Sequence, residues 1–197
     1  MPGLGALIAH TRPDLIHLHN VVNPLAIEAI ADRAARGQPA VATVQDHRAF
    51  CPGRGKLTMD GRPCHRPMDP GRCAPCFRDP GYGDLILALT RRRLAALRRL
   101  PLVVLSRYMA DELEAAGVPR DGLHVVPPFV HGLGGTAGDA GERCVLFAGR
   151  LVEAKGVWDT AEAWRRSGVD LPLVFAGTGT ARGELEAGLD GPGEGAQ

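Results

Sequence analysis

Apolar and polar positions follow two different periods along this chain, and the switches between them mark its elements. Leu15-Ile16-His17-Leu18-His19-Asn20 has the two-residue period of a strand, which puts His17 and His19 on one face. Asn23-Pro24 then opens a helix with Leu25, Ile27, Ala31 and Ala34 among its apolar positions and Gly37 near its end. Pro39 to Asp46 is the next strand, because Ala40-Val41-Ala42-Thr43-Val44 is nearly continuous in small or apolar residues. Strand, helix and strand in this order predict a parallel sheet covered on both faces, and so an α/β fold.

Further along, residues 50–80 form a polar loop rich in Pro and Gly, long enough to be functional or otherwise tied down. Tyr82 to Leu100 predicts a helix with an apolar stripe of Leu85, Ile86, Leu89, Leu94 and Leu97, while Arg91, Arg92, Arg93, Arg98 and Arg99 lie mostly elsewhere. Leu102 to Leu105 is a buried strand. Ser106 caps a helix running through Glu114, and Gly117 stops it. Leu123 to Val126 is a strand closed by Pro127-Pro128.

Gly132 to Gly141 has no apolar period and predicts a linker. After it come a strand at Cys144–Ala148, a glycine turn, a helix from Val157 through Trp164, a strand ending at Val174-Phe175-Ala176, and a helical stretch from Ala181 to Leu189. The domain reading is therefore 1–130, a linker at 131–142, and the start of a second domain at 143–197. The last eight residues are too polar and glycine-rich to build a core.

Composition changes this picture little. A chain of 197 residues can bury a real core, and its net charge of +1 decides nothing about anionic partners. There is no spanning-length apolar run and no basic segment before the first apolar residues, so the expectation is a soluble cytoplasmic protein. The basic helix at 82–100 adds an expectation of peripheral contact with an anionic membrane at its inner face, set against the plainer reading of a solvated face. Nucleic acid is not an expected partner: aromatic residues are few, and the arginines fall on one helix without a reading motif.

Four of the five cysteines, Cys51, Cys64, Cys73 and Cys76, fall in the 50–80 loop, and the last two form Cys-x-x-Cys. Without a secretory signal this favours a metal cluster over a disulfide framework. Structural zinc on four thiolates is the expectation, with an iron–sulfur cluster and free or redox-active thiols as alternatives.

The turn Gly149-Arg150-Leu151-Val152-Glu153-Ala154-Lys155-Gly156 lies between a strand and a helix. Glycines let the backbone approach a ligand, a helix start favours an anion, and a guanidinium beside an ammonium suits a diphosphate. Gly177 and Gly179 follow the next strand and predict a second loop near the same ligand.

Gly149-Arg150-Leu151 with Lys155-Gly156, then Val174-Phe175-Ala176-Gly177-Thr178-Gly179, resembles the donor-binding domain of retaining glycosyltransferases of family 4. Pro13 to Asn20, Thr43 to Asp46 and the segment from Val104 to Val130 are similar to the family's acceptor-side domain. The resemblance implies a GT-B architecture, two Rossmann-like domains, both of them incomplete in this chain. It implies transfer of a sugar from a nucleotide-sugar donor to a glycan, lipid or small-molecule acceptor hydroxyl, with retention at the anomeric carbon. Arg150 and Lys155 would neutralise the departing diphosphate, so catalysis would need no metal or other cofactor.

On the acceptor side the resemblance points to His19, Asn20, Gln45 and Asp46. The family usually has His-Asp after its second strand; here Gln45 precedes Asp46, and His47 comes two residues later. His47 and His19 are accordingly the catalytic candidates, and the plainer reading of His17 and His19 is a hydrogen-bonded pair. Some family members carry a similar Cys-Pro and Cys-x-x-Cys loop. The family's Glu-x7-Glu pair is expected beyond residue 197, and its opening strand before residue 1. A catalytically inactive, zinc-stapled binding or structural module is the alternative function.

Overall fold

A computed structural model describes residues 3–65, 67–129 and 143–189. The chain forms two compact units, Met1–Val130 and His131–Gln197. The predicted linker at 131–142 and the final polar tail lie outside the described residues.

The first unit is a four-stranded parallel sheet in the order β1 (Ile16–His19), β2 (Ala40–Val44), β3 (Leu102–Val104), β4 (Leu123–Val125). Its register pairs Ile16 with Ala40, Ala42 with Leu102, and Leu102 with Leu123. Because neighbours are parallel, every strand needs a crossover, and all carboxyl ends lie on one edge. Helices α1 (Leu4–Thr11), α2 (Pro24–Ala34), α3 (Pro70–Cys73), α4 (Pro80–Leu97) and α5 (Arg107–Ala115) complete the unit. Ile27, Ile30, Leu102, Val104 and Leu113 are fully buried at its centre.

The predicted caps are where the sequence put them. Asn23 accepts from the Leu25 N–H at 2.9 Å and Ser106 from the Met109 N–H at 3.3 Å, while Gly117 adopts φ +88° after α5. The buried stripe of α4 differs from the predicted one. Leu87, Thr90, Leu94 and Leu97 face inward, with Ala96 and Gly83, whereas Leu85 is 56% exposed. Steps of three, four and three residues hold these four on one side of the helix. Thr90 fits there because its hydroxyl donates to the Ile86 carbonyl at 2.8 Å. Helix α1 was not predicted: Gly3, at its N-cap, offers no side-chain bond, and Arg12 ends it in the left-handed region at φ +43°.

In the second unit β5 (Val145–Ala148) and β6 (Leu173–Ala176) pair in parallel, Phe147 opposite Phe175. Helices α6 (Val157–Ser167) and α7 (Arg182–Leu189) follow the two strands. Leu151, Val157, Ala181 and Leu185 are buried, with Phe147 and Phe175 packed against them. The indole N–H of Trp164 ties α6 to the following loop by donating to the Leu171 carbonyl at 2.8 Å.

Candidate functional site

At the carboxyl end of β1, Asn20 takes φ +51°, a left-handed conformation that asparagine tolerates better than most residues. Its side chain there spans to the end of β2. Nδ2 donates to Asp46 Oδ2 at 3.0 Å, and Oδ1 accepts from the Gln45 N–H at 3.4 Å. Asp46 also takes the Arg48 guanidinium, at 2.6 Å between Nη2 and Oδ2, and accepts from the Arg48 backbone N–H at 2.9 Å. The Arg48 side chain is the main cause, and the Asn20 amide a lesser one, holding the Asp46 carboxyl at about 2 against partial desolvation. It is therefore an acceptor-only anion at neutral pH.

Gln45 and His19 meet next to this carboxylate, Nε2 to Nε2 at 3.2 Å. The four residues predicted on the acceptor side, His19, Asn20, Gln45 and Asp46, thus form one polar patch on the edge where ligands of open α/β sheets bind. Beneath them the packing leaves only about 10 Å³, so a ligand would lie on the patch and not under it. His17 shares the exposed face of β1, its ring 5.8 Å from that of His19, but its Nε2 lies 2.7 Å from the Thr43 hydroxyl. That bond gives His17 a sheet-edge role.

His47 leaves this patch. It opens a single 3-10 turn, His47–Ala49, with its ring edge-on to Phe50 and Tyr108 and its Nε2 3.2 Å from the Tyr108 hydroxyl. Partial desolvation, then the Glu112 carboxylate, hold the Tyr108 phenol above its ordinary value, so it is a hydroxyl when it meets the imidazole. The loop carrying Cys51 begins from the same turn, since the Cys51 N–H donates to the His47 carbonyl at 2.7 Å.

Cys51, Cys64, Cys73 and Cys76 line one cavity of about 720 Å³, together with His65 and Lys56. Burial, then Cys73, Cys51 and Cys64 in that order, push the Cys76 thiol up. Among the described residues no three His, Cys, Asp or Glu side chains already stand at metal-holding distances. The cavity brings all four predicted thiols to one place without closing them on a point.

In the second unit the Gly149–Gly156 turn is exposed at Gly149, Arg150 and Lys155. Gly156 sits at φ +73° as the N-cap of α6, and neither Arg150 nor Lys155 has an ion-pair partner among the described residues. Gly177 and Gly179 have a local reason to be glycine. A Cβ at Gly177 would come 1.8 Å from the Gly149 carbonyl oxygen, and one at Gly179 2.1 Å from that of Leu151. The two loops run against each other, with Leu151 N–H donating to Thr178 at 2.8 Å and Ala181 N–H to Leu151 at 2.9 Å.

The basic face of α4 is largely engaged inside the first unit. Arg92 grips Glu28 at 2.6 Å and Arg99 grips Asp32 at 2.6 Å, both on α2. Arg93 donates to the Val22 and Arg48 carbonyls, and Arg98 to the Ala116 carbonyl. Among the described residues only Arg91 of the five lacks such a partner, and only Arg92 and Arg99 are neutralised by a carboxylate. No described helix is long and apolar enough to cross a membrane.

The family model of Glycosyltransferase Family 4 matches residues 1–131, two thirds of the chain and the whole of the sheet edge just described. The chain belongs to glycosyltransferase family 4. No curated protein and no solved structure matches it. Family membership makes it a glycosyltransferase by fold and class, with a sugar donor and an acceptor as its substrates. Arg48, Tyr108, Lys56 and Glu112 were not among the predicted site residues. Arg48 had a local signal, two positions after Asp46; the Lys56–Glu112 and His47–Tyr108 side-chain pairs span 56 and 61 positions of sequence.

Proposed function

We propose that this chain serves transfer of a sugar from a nucleotide-sugar donor to an acceptor hydroxyl with retention of configuration, as part of a GT-B enzyme. The observation that carries the reading is the Gly149–Gly156 turn. Two exposed cations without ion-pair partners among the described residues precede an eleven-residue helix whose N-cap glycine supplies no side-chain bond to its first-turn N–H groups. Departure of a nucleotide diphosphate builds negative charge on its oxygens. Arg150 would meet that charge as a planar fork and Lys155 as a point charge, in place of a divalent cation. On the first unit the acceptor would lie against His19, Asn20, Gln45 and the anionic Asp46, which can accept from its hydroxyls.

Gln45 favours a second reading. A carboxamide does not titrate, and this one is bound to His19, so a catalytically inactive binding module is consistent with the same edge. Calorimetry with UDP, GDP and ADP and their sugars, followed by assay of nucleotide release with simple glycans and polyprenyl phosphates, separates the two. Arg150→Ala and Lys155→Ala should each weaken nucleotide-sugar binding by about 10- to 100-fold, the value of a hydrogen bond to a charged group. Unchanged affinity in both variants would remove the donor site. Tight binding without turnover would favour the inactive module.

A further inference from the structure

The segment from Cys51 to Asp79 has a problem of cohesion. None of its described residues is buried as a whole, and only Cys51 and Met68 pack against the core of the first unit, so apolar burial holds it weakly, yet it follows a defined path. Its backbone crosses itself between Lys56 and Cys64, where the Cys64 N–H donates to the Lys56 carbonyl at 2.7 Å, and Asp69 and Asp79 cap the helices that end it. All four cysteines are half-buried, turned toward the common cavity, while most of their neighbours are exposed. The two ends of the segment also touch: a Cβ at Gly53 would come 3.5 Å from Cys76 Sγ.

The turn after Cys51 is shaped around its sulfur. Gly55 and Lys56 are consecutive left-handed residues, at φ +70° and +66°, and the Lys56 N–H donates to Cys51 Sγ at 3.3 Å. An N–H aimed at a sulfur favours the thiolate and fixes its orientation, the role of an outer hydrogen bond in a metal site. The same Lys56 sends its ammonium to Glu112 of α5, Nζ to Oε2 at 2.8 Å, with both side chains largely buried. The Cys51 turn is therefore fastened to α5 on one side and to the His47 carbonyl on the other.

We propose that Cys51, Cys64, Cys73 and Cys76 take up one Zn²⁺ as a tetrathiolate staple for residues 51–76, and that the staple holds His47 against Tyr108. Four inward thiols without an apolar core are the donor set for zinc in small irregular segments. The four sulfurs do not converge on one point in this structure, so binding draws them together, and the thiol protons leave as the thiolates bind. The inference stands apart from the sugar-transfer reading and survives its failure.

The test uses the full chain, purified with reductant and dialysed against Zn²⁺. Elemental analysis should find about one zinc per chain, and Co²⁺ in its place should give the intense tetrahedral bands of thiolate ligation. A thiol reagent should reach only Cys144 in the loaded protein and all five cysteines after chelation. Cys73→Ser and Cys64→Ser should lower zinc content to background, while His65→Gln retains it. The His47 ring signal in proton NMR, assigned with His47→Gln, should shift on chelation. No zinc, iron with labile sulfide, equal reactivity of all five thiols in the loaded protein, or zinc kept by Cys64→Ser and lost by His65→Gln would each overturn the four-cysteine zinc site. An unmoved His47 signal would overturn its coupling to His47.

Discussion

Replacing Asp46 by Asn removes one charge from the β1–β2 edge while keeping the size and an acceptor oxygen. A carboxyl held at about 2 in place of its ordinary 3.8 would stabilise the fold by about 2 kcal/mol if it were fully sheltered. The Asp46 side chain is 36% exposed and that of Arg48 60%, so solvent screening reduces the figure to about 1 kcal/mol. The sign follows from the lowered pKa. Between 3.8 and about 2 the unfolded chain binds the proton more readily, so the contribution is complete above pH 3.8 and is lost as pH falls through 2. Urea unfolding of wild type and Asp46→Asn at steps from pH 5 to pH 2 measures it, because the difference cancels the other carboxylates. The gap should be about 1 kcal/mol at pH 5 and close toward zero at pH 2, and high salt should narrow it at pH 5. A gap that is constant across the range, or that widens in acid, would refute the Arg48–Asp46–Asn20 arrangement as the cause.

Lys56→Met should destabilise the first unit by about 3 kcal/mol, because it leaves Glu112 largely buried without the ammonium it faces. Adding Glu112→Leu should recover most of the loss, and thermal unfolding of the single and double variants checks both. Gly177→Ala and Gly179→Ala should each separate the paired loops of the second unit at a cost of about 3 kcal/mol or more, because the new Cβ meets backbone. Hydrogen exchange at the Leu151 and Ala181 amides should quicken in both variants, and unchanged protection there would count against the loop pairing.

What could be read from sequence here was local. Asn23, Ser106 and Gly117 act within three residues of themselves, so their types alone marked two helix starts and one stop. The parallel sheet followed from the order of periods. The stripe of α4 was misjudged because leucine fills several faces of that helix, and only packing against α2 and the sheet decides which of them is inside. Asn20 and Asp46 were legible as neighbours of strand ends, but their bond needed the β1–β2 register to become visible. Lys56 with Glu112, and His47 with Tyr108, join positions 56 and 61 residues apart, beyond any periodic signal. The four cysteines were legible as a group, whereas their shared cavity and the N–H aimed at Cys51 came only from the fold.

The interlocking of the two loops after β5 and β6 limits how the second unit can diversify. The path of residues 149–151 is a mould cast by residues 177–181, about thirty positions downstream, and neither can lengthen or gain a side chain at the contact without the other giving way. Under the proposed donor-site reading, new ligand preferences would arise by exchanging exposed side chains on a fixed backbone, such as those at 150 and 155. Insertions should concentrate where the loops do not touch, and substitutions at 149 and 177 should arise as coordinated pairs.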